Sequence, residues 1–175
     1  WLADARWARL IGRDREAARC LWEAIRLEPD LRSANYQLAQ LLLQLDRSEE
    51  AAPFRKRAGR LEAFEQTLGL IETRLSLESD WSDLGLLRRA ADQCEQMGRL
   101  WEAFAWAREA QVHDADAPWA AELVARVKRR LARFPESSQT LPGEHPARNI
   151  DLSEFPRPDF DRIEPSEVVT GHGDT

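Results

Sequence analysis

A spacing of alanines that occurs three times constrains this chain more than any other feature. The two alanines of each pair are seven residues apart, and the first of them follows a turn residue by five positions. The pairs are Ala17 and Ala24, Ala51 and Ala58, and Ala103 and Ala110, after Gly12, Asp46 and Gly98. Seven residues make two helical turns, so each pair lies on one helix face, where small side chains let another helix approach closely. Such recurrence is typical of stacked helical repeats, and it predicts an all-α solenoid of antiparallel helix hairpins.

Apolar residues spaced three and four apart predict the helices between the turns. The expected helices cover residues 1–11, 15–28, 32–45, 48–76, 82–97, 100–113 and 118–133. Asp14 is expected to be the N-cap of the second helix. The last helix has one apolar and one strongly charged face, which is typical of the helix that caps a solenoid. A repeat domain is therefore predicted over 1–134, with repeats at about 1–31, 32–76 and 82–114 and a capping helix over 118–133.

The fourth helix is predicted to be unusually long. The first and second alanine pairs are 34 residues apart, whereas the second and third are 52 apart, an excess of 18. The extra stretch carries an apolar stripe at alternating spacings of three and four, formed by Leu61, Phe64, Leu68, Ile71 and Leu75. We therefore expect one helix over 48–76, bent at most near Pro53, rather than a loop.

The character of the chain changes after residue 134. Residues 136–175 carry nine acidic and three basic side chains, which account for the whole net charge of −6. An acidic, Pro-rich, extended tail or linker is predicted over 135–175, anchored along a surface by Ile150, Leu152, Phe155 and Phe160. Such a tail would dock in cis, on the next domain or on another chain. The alternative is a disordered, solubilising linker.

Several classes of function find no support in the residues. The histidines are isolated in sequence, the two cysteines form no metal or redox motif, and no nucleophile elbow or phosphate loop occurs. A neutral body with an acidic tail argues against nucleic acid as a partner. No run of eighteen apolar residues occurs, so no membrane span is expected. We therefore expect no enzyme, no catalytic or metal-binding residue and no cofactor.

The recurring unit resembles the tetratricopeptide repeat, a helix–turn–helix motif of 34 residues. In the first repeat, the aromatic, small, glycine and proline positions of the family fall on Trp1, Ala5, Gly12, Ala17, Ala24 and Pro29. The second and third repeats keep the small residues and lack the proline. The phrase from Cys94 to Trp106 is also similar to bacterial proteins in which this repeat precedes an FG-GAP/ASPIC–UnbV β-propeller. That second resemblance implies a fragment of a larger protein, with a periplasmic or secreted location favoured.

The tetratricopeptide resemblance implies a groove lined by the first helix of each repeat. The positions that line it are Arg6, Arg9, Tyr36, Gln40, Gln44, Arg88, Asp92 and Gln96. A polar groove with three arginines suits an extended acidic segment, and solvated arginines are the alternative. The family's carboxylate clamp expects Lys and Asn where this chain has Leu2 and Arg6, so binding of chaperone tails is not implied.

The expected function is a protein-interaction scaffold that binds an extended peptide or a neighbouring domain. A structural module of a larger exported protein is the alternative, and an enzyme is a remote one. Trp22 and Trp106 lie beside the inward alanines rather than on that face. They are therefore candidates for half-exposed partner contacts.

Overall fold

In a computed structural model, residues 1–78, 83–133 and 145–159 are described, the side chains of residues 77 and 78 excepted. Those ranges hold seven α-helices, one short 3-10 helix at Pro146–Arg148, and no strand. The helices are α1 Leu2–Leu10, α2 Asp14–Leu27, α3 Arg32–Gln44, α4 Ser48–Glu78, α5 Leu84–Met97, α6 Leu100–His113 and α7 Pro118–Arg133. Consecutive helices pack on one another, as α1 does on α2, α2 on α3, α5 on α6 and α6 on α7. The predicted all-α fold of packed consecutive helices is confirmed.

The three predicted turn residues share one backbone conformation. Gly12, Asp46 and Gly98 have φ of 73°, 60° and 79°, which is the left-handed region where helices commonly end. Glycine adopts it without steric cost, and Asp tolerates it better than most residues because its short polar side chain can bond locally. This conformation ends one helix and lets the next reverse within a few residues.

The paired alanines are all in the core. None of the six is more than 5% exposed, so the predicted close-packing face is confirmed. The prediction that Asp14 caps α2 is wrong. Arg13 occupies the cap position without a side-chain hydrogen bond, and Asp14 is the first helical residue, where its charge favours the positive end of the helix dipole.

Helix α4 is continuous from Ser48 to Glu78 with Pro53 inside it, which confirms the single long helix. Its predicted apolar stripe is wrong at one position. Leu68 is 37% exposed, whereas its neighbour Thr67 is only 2% exposed. Burial of Thr67 is tolerated because its hydroxyl donates to the carbonyl oxygen of Ala63 at 3.0 Å. At about 100° per residue, Leu68 lies roughly 20° and Thr67 roughly 80° from the centre of the predicted stripe, so periodicity favoured Leu68 and the tertiary structure decided otherwise.

The chain forms two compact units. The first consists of Trp1–Ala58 together with the tail from His145 onward, and the second is Gly59–Glu144. Helix α4 contributes residues to both. The tail that the sequence sets apart from the repeat domain thus belongs, over its described residues 145–159, to the first unit.

Helix α7 buries the expected apolar face within the second unit, with Ala120, Leu123, Val127 and Leu131 at most 8% exposed. On its charged face, Arg126, Lys128, Arg129 and Arg133 are exposed and Arg130 is half-buried. The Arg126 guanidinium donates from Nε and Nη2 to the two carboxylate oxygens of Glu95 at 2.8 Å each. These bonds hold the pKa of Glu95 below its ordinary value. The pair therefore ties α7 to α5.

Candidate functional site

The tail of the first unit lies against one face of α2. That face carries Arg15, Arg19, Trp22 and Arg26, spaced four, three and four apart so that they form a continuous row along the helix. We call this row the α2 stripe, and we call residues His145–Phe155 the docked segment. The spacing of the row is visible in the sequence, but the sequence alone does not mark these residues as a contact surface.

Two side chains of the α2 stripe hold the backbone of the docked segment. The indole Nε1 of Trp22 donates to the carbonyl oxygen of Ala147 at 3.2 Å. The guanidinium Nη1 of Arg19 donates to the carbonyl oxygen of Leu152 at 3.0 Å. Arg19 is only 7% exposed, and its charge is balanced by Glu23, whose carboxylate accepts from Nη2 at 2.7 Å. A buried guanidinium with these partners is a fixed donor for the segment's main chain.

His145 begins the docked segment and is completely buried. Its Nδ1 accepts from the backbone N–H of Ala147 at 3.1 Å. That contact requires Nδ1 to be unprotonated, so the ring proton is on Nε2 and is donated to the carbonyl oxygen of Pro29 at 3.2 Å. Burial, and secondarily the nearby Arg57 guanidinium, lower the pKa of His145 from 6.5 to about 4. The histidine is therefore neutral at pH 7.

The carbonyl oxygen of Pro29 is a shared acceptor at the turn between α2 and α3. Besides His145, it accepts from Asn35 Nδ2 at 3.0 Å and from Arg57 Nε at 3.3 Å. Arg57 also pairs with Asp30 at 2.5 Å between Nη2 and Oδ1. The first residue of the docked segment thus joins a polar cluster contributed by α3, α4 and the turn before α3.

The remaining attachment is apolar. Ile150, Leu152 and Phe155 are 8%, 0% and 9% exposed. The Phe155 ring lies 5.3 Å from the Arg47 guanidinium and 5.8 Å from that of Arg15, within cation–π range. The fourth predicted anchor, Phe160, lies outside the described residues.

The arginines that meet the tail differ from the expected ones. Arg6, Arg9 and Arg88 were the expected complementary charges, but in the described structure Arg15, Arg19, Arg47 and Arg57 surround the docked segment. Trp22 is also not half exposed as predicted. It is 6% exposed, because the docked segment covers it. Trp106 is half-buried against the core of the second unit.

The groove positions that belong to the first unit lie at the surface. Arg6, Arg9, Tyr36, Gln40 and Gln44 are all exposed, Tyr36 by 52%. The amide of Gln40 donates to the Tyr36 hydroxyl oxygen at 2.7 Å. Within the described part of the chain, no hydrogen bond or ion pair engages the side chain of Arg6 or Arg9. This polar surface, which we call the first-helix face, is therefore open to solvent.

The groove positions of the second unit lie along α5. Arg88 and Gln96 are exposed, and Asp92 is half-buried. Arg88 Nε lies 3.8 Å from Asp92 Oδ2, and its guanidinium lies 5.8 Å from the Trp119 ring of α7. Arg88 is thus already engaged inside its own unit, unlike Arg6 and Arg9.

The described residues place no three or more His, Cys, Asp or Glu side chains together in a way that could hold a metal ion. Cys20 and Cys94 are both buried. Burial raises the pKa of the Cys20 thiol to about 11, so at pH 7 it is the protonated, unreactive form. Among the described helices, none combines the length and the apolar character needed to cross a membrane.

Comparisons of the chain with models of protein families, with curated proteins and with solved structures find no match. The tetratricopeptide and propeller resemblances therefore stay predictions that depend on the residues quoted for them.

Proposed function

We propose that this chain is a protein-interaction module rather than an enzyme, and that its helix hairpins are of the tetratricopeptide kind. The first-helix face, which comprises Arg6, Arg9, Tyr36, Gln40 and Gln44, binds an extended acidic segment of a partner protein or of a neighbouring domain. The observation that supports this proposal is that the docked segment lies on the α2 stripe, while the first-helix face is exposed among the described residues.

The chemistry of the first-helix face supports such a ligand. Two guanidinium groups without a partner among the described residues offer charged, bidentate donors for carboxylates. Tyr36 adds an aromatic surface that is half exposed, and tyrosine is among the residues that contribute most to protein interfaces. Glutamines Gln40 and Gln44 supply both donors and acceptors for a peptide backbone.

Photo-crosslinking from the full chain is the experiment that identifies the partner. A photoreactive residue in place of Tyr36 is expected to capture one protein, or one neighbouring domain, in the native cell. The purified partner is then titrated against the variant Arg6→Glu/Arg9→Glu. We expect its Kd to rise at least about tenfold, a change of about 1.4 kcal/mol, because attraction becomes repulsion at two positions.

A matched control reverses two charges elsewhere. Arg55 and Lys56 are both exposed on α4, and Arg55→Glu/Lys56→Glu changes the net charge by the same amount. Equal loss of affinity in both double variants would mean that net charge alone steers binding. Unchanged affinity in Arg6→Glu/Arg9→Glu would mean that the partner uses another surface. Either result contradicts the proposal.

A further inference from the structure

We propose that the α2 stripe is a second peptide-binding site and that the docked segment is a displaceable ligand that occupies it in cis. Its ligand class is an extended segment with small or apolar anchors at the spacing of Ala147, Ile150, Leu152 and Phe155. The partner is therefore a segment of this chemistry from another protein, which competes with the chain's own tail. This proposal concerns a different face from the first-helix face and stands independently of it.

The contacts are of the kind that bind a peptide. Trp22 Nε1 and Arg19 Nη1 both donate to main-chain carbonyl oxygens, those of Ala147 and Leu152. Every extended segment offers such carbonyls, so these two bonds fix the path of a ligand rather than its sequence. Selectivity comes from the apolar anchors, since Ala147, Leu152 and Phe155 are at most 9% exposed.

The face beneath the docked segment is suited to being uncovered. The Trp22 ring lies 4.9 Å from the Arg19 guanidinium and 4.6 Å from that of Arg26. Together with Arg15, these charges make the stripe strongly hydrophilic around one aromatic ring. Exposing an apolar core face to water would cost free energy. Guanidinium groups, in contrast, hydrate readily, and the methylene stems of these arginines continue to shield the Trp22 ring. Release of the docked segment thus leaves a surface that is readily hydrated.

The charges of the segment match those of the site. Glu154 Oε1 lies 3.5 Å from Arg47 Nη1, in an exposed pair that contributes little affinity but favours acidic ligands over basic ones. A competing segment with Lys in place of Glu154 would place two positive charges together at Arg47. The site therefore selects an acidic segment with apolar anchors.

The test uses the full chain. In the variant Leu152→Ala/Phe155→Ala the tail loses two buried anchors and is expected to release the α2 stripe. A fluorescent synthetic peptide with the sequence of residues 144–159 is then titrated by fluorescence anisotropy. We expect saturable binding to the variant at least about tenfold tighter than to the unaltered chain, where the cis segment competes. The indole N–H signal of Trp22 in NMR spectra is expected to shift on release and to return on peptide binding.

Matched controls separate this site from non-specific attraction. A peptide with the same two alanine changes is expected not to bind. Adding Arg19→Gln to the released variant is expected to abolish binding of the unaltered peptide, because the donor to Leu152 is lost. Adding Arg55→Gln, which removes an exposed charge on α4, is expected to leave the affinity unchanged.

Three results would overturn the proposal. The first is absence of saturable peptide binding to the released variant. The second is equal binding with and without Arg19→Gln, which would indicate a non-specific charge effect. The third is loss of cooperative unfolding or of helical circular dichroism in Leu152→Ala/Phe155→Ala, which would make the docked segment an integral part of the first unit's core rather than a ligand.

Discussion

Acidification from pH 6.5 towards pH 4 is expected to weaken attachment of the docked segment through one residue, His145. The buried ring is neutral, with Nδ1 accepting from Ala147 N–H and Nε2 donating to Pro29 O. A proton added to Nδ1 would point at the Ala147 N–H, which lies 3.1 Å away, so two donors would face each other. The imidazolium would also be buried near the Arg57 and Arg148 guanidinium groups, and these effects exceed the favourable ones of the hydrogen bond to the Pro29 carbonyl oxygen and of Asp30.

The expected loss of free energy of docking follows from the pKa of His145, which is lowered from 6.5 to about 4 in the docked state. The released state binds the proton more tightly, so between these two values it carries more protons than the docked state. Stability of the docked state is therefore complete above about pH 6.5, decreases as the pH falls towards 4, and levels off below that. At about 1.36 kcal/mol per pH unit, the difference amounts to roughly 3 kcal/mol.

Hydrogen exchange on the full chain measures this effect. The protection factor of the Ala147 amide, corrected for the intrinsic pH dependence of exchange, is expected to fall by about two orders of magnitude from pH 7 to pH 4. In His145→Gln the titrating group is gone, and the profile is expected to be flat down to about pH 4.5, where carboxylates begin to titrate. His113→Gln, on α6 of the second unit, serves as the matched control and is expected to keep the full pH dependence.

A constant protection factor between pH 7 and pH 4.5 would refute the reasoning. So would an equal decrease in His145→Gln, because the pH dependence would then not depend on His145.

Two further predictions concern packing. Ala103 is 0% exposed, so Ala103→Leu is expected to overpack the α6 interface and to lower the free energy of unfolding by about 1–3 kcal/mol in urea titrations; a change near zero would show that the alanine face has room. Within α4, Ile71→Ala is expected to cost about 2–4 kcal/mol because its side chain is 7% exposed, whereas the matched change Leu68→Ala, at 37% exposed, is expected to cost less than about 1 kcal/mol. The opposite order would mean that the sequence-based stripe, rather than the observed one, is the buried face.

The helices could be predicted from the sequence because what forms them is local. Hydrogen bonds four residues apart and side chains that recur every three or four residues are both properties of neighbouring positions. Helices α6 and α7 therefore begin and end at the predicted residues, and the others do so within two residues. The turn residues Gly12, Asp46 and Gly98 were recognisable for the same reason, since the positive φ at each is a single-residue conformation.

The face that receives the tail was decided by tertiary structure. The apolar spacing of Ile150, Leu152 and Phe155 indicated residues able to contact a surface, but it did not say which surface. The partners are far away in the chain: Arg19 and Leu152 are 133 positions apart, and His145 and Pro29 are 116 apart. Charge complementarity alone could not choose among the exposed arginines, and the resemblance to the tetratricopeptide repeat directed the expectation to Arg6, Arg9 and Arg88.

The same distinction between local and tertiary forces explains the smaller differences between the predictions and the structure. Thr67 rather than Leu68 is buried because neighbouring helices, and not the hydropathy of α4, determine which side of a broad stripe is covered. His145 looked isolated in the sequence and is one of the most buried polar residues. Periodicity fixes the conformation of a segment through short-range forces, whereas the identity of its contact surface depends on shape and hydrogen-bonding partners that exist only once distant segments have come together.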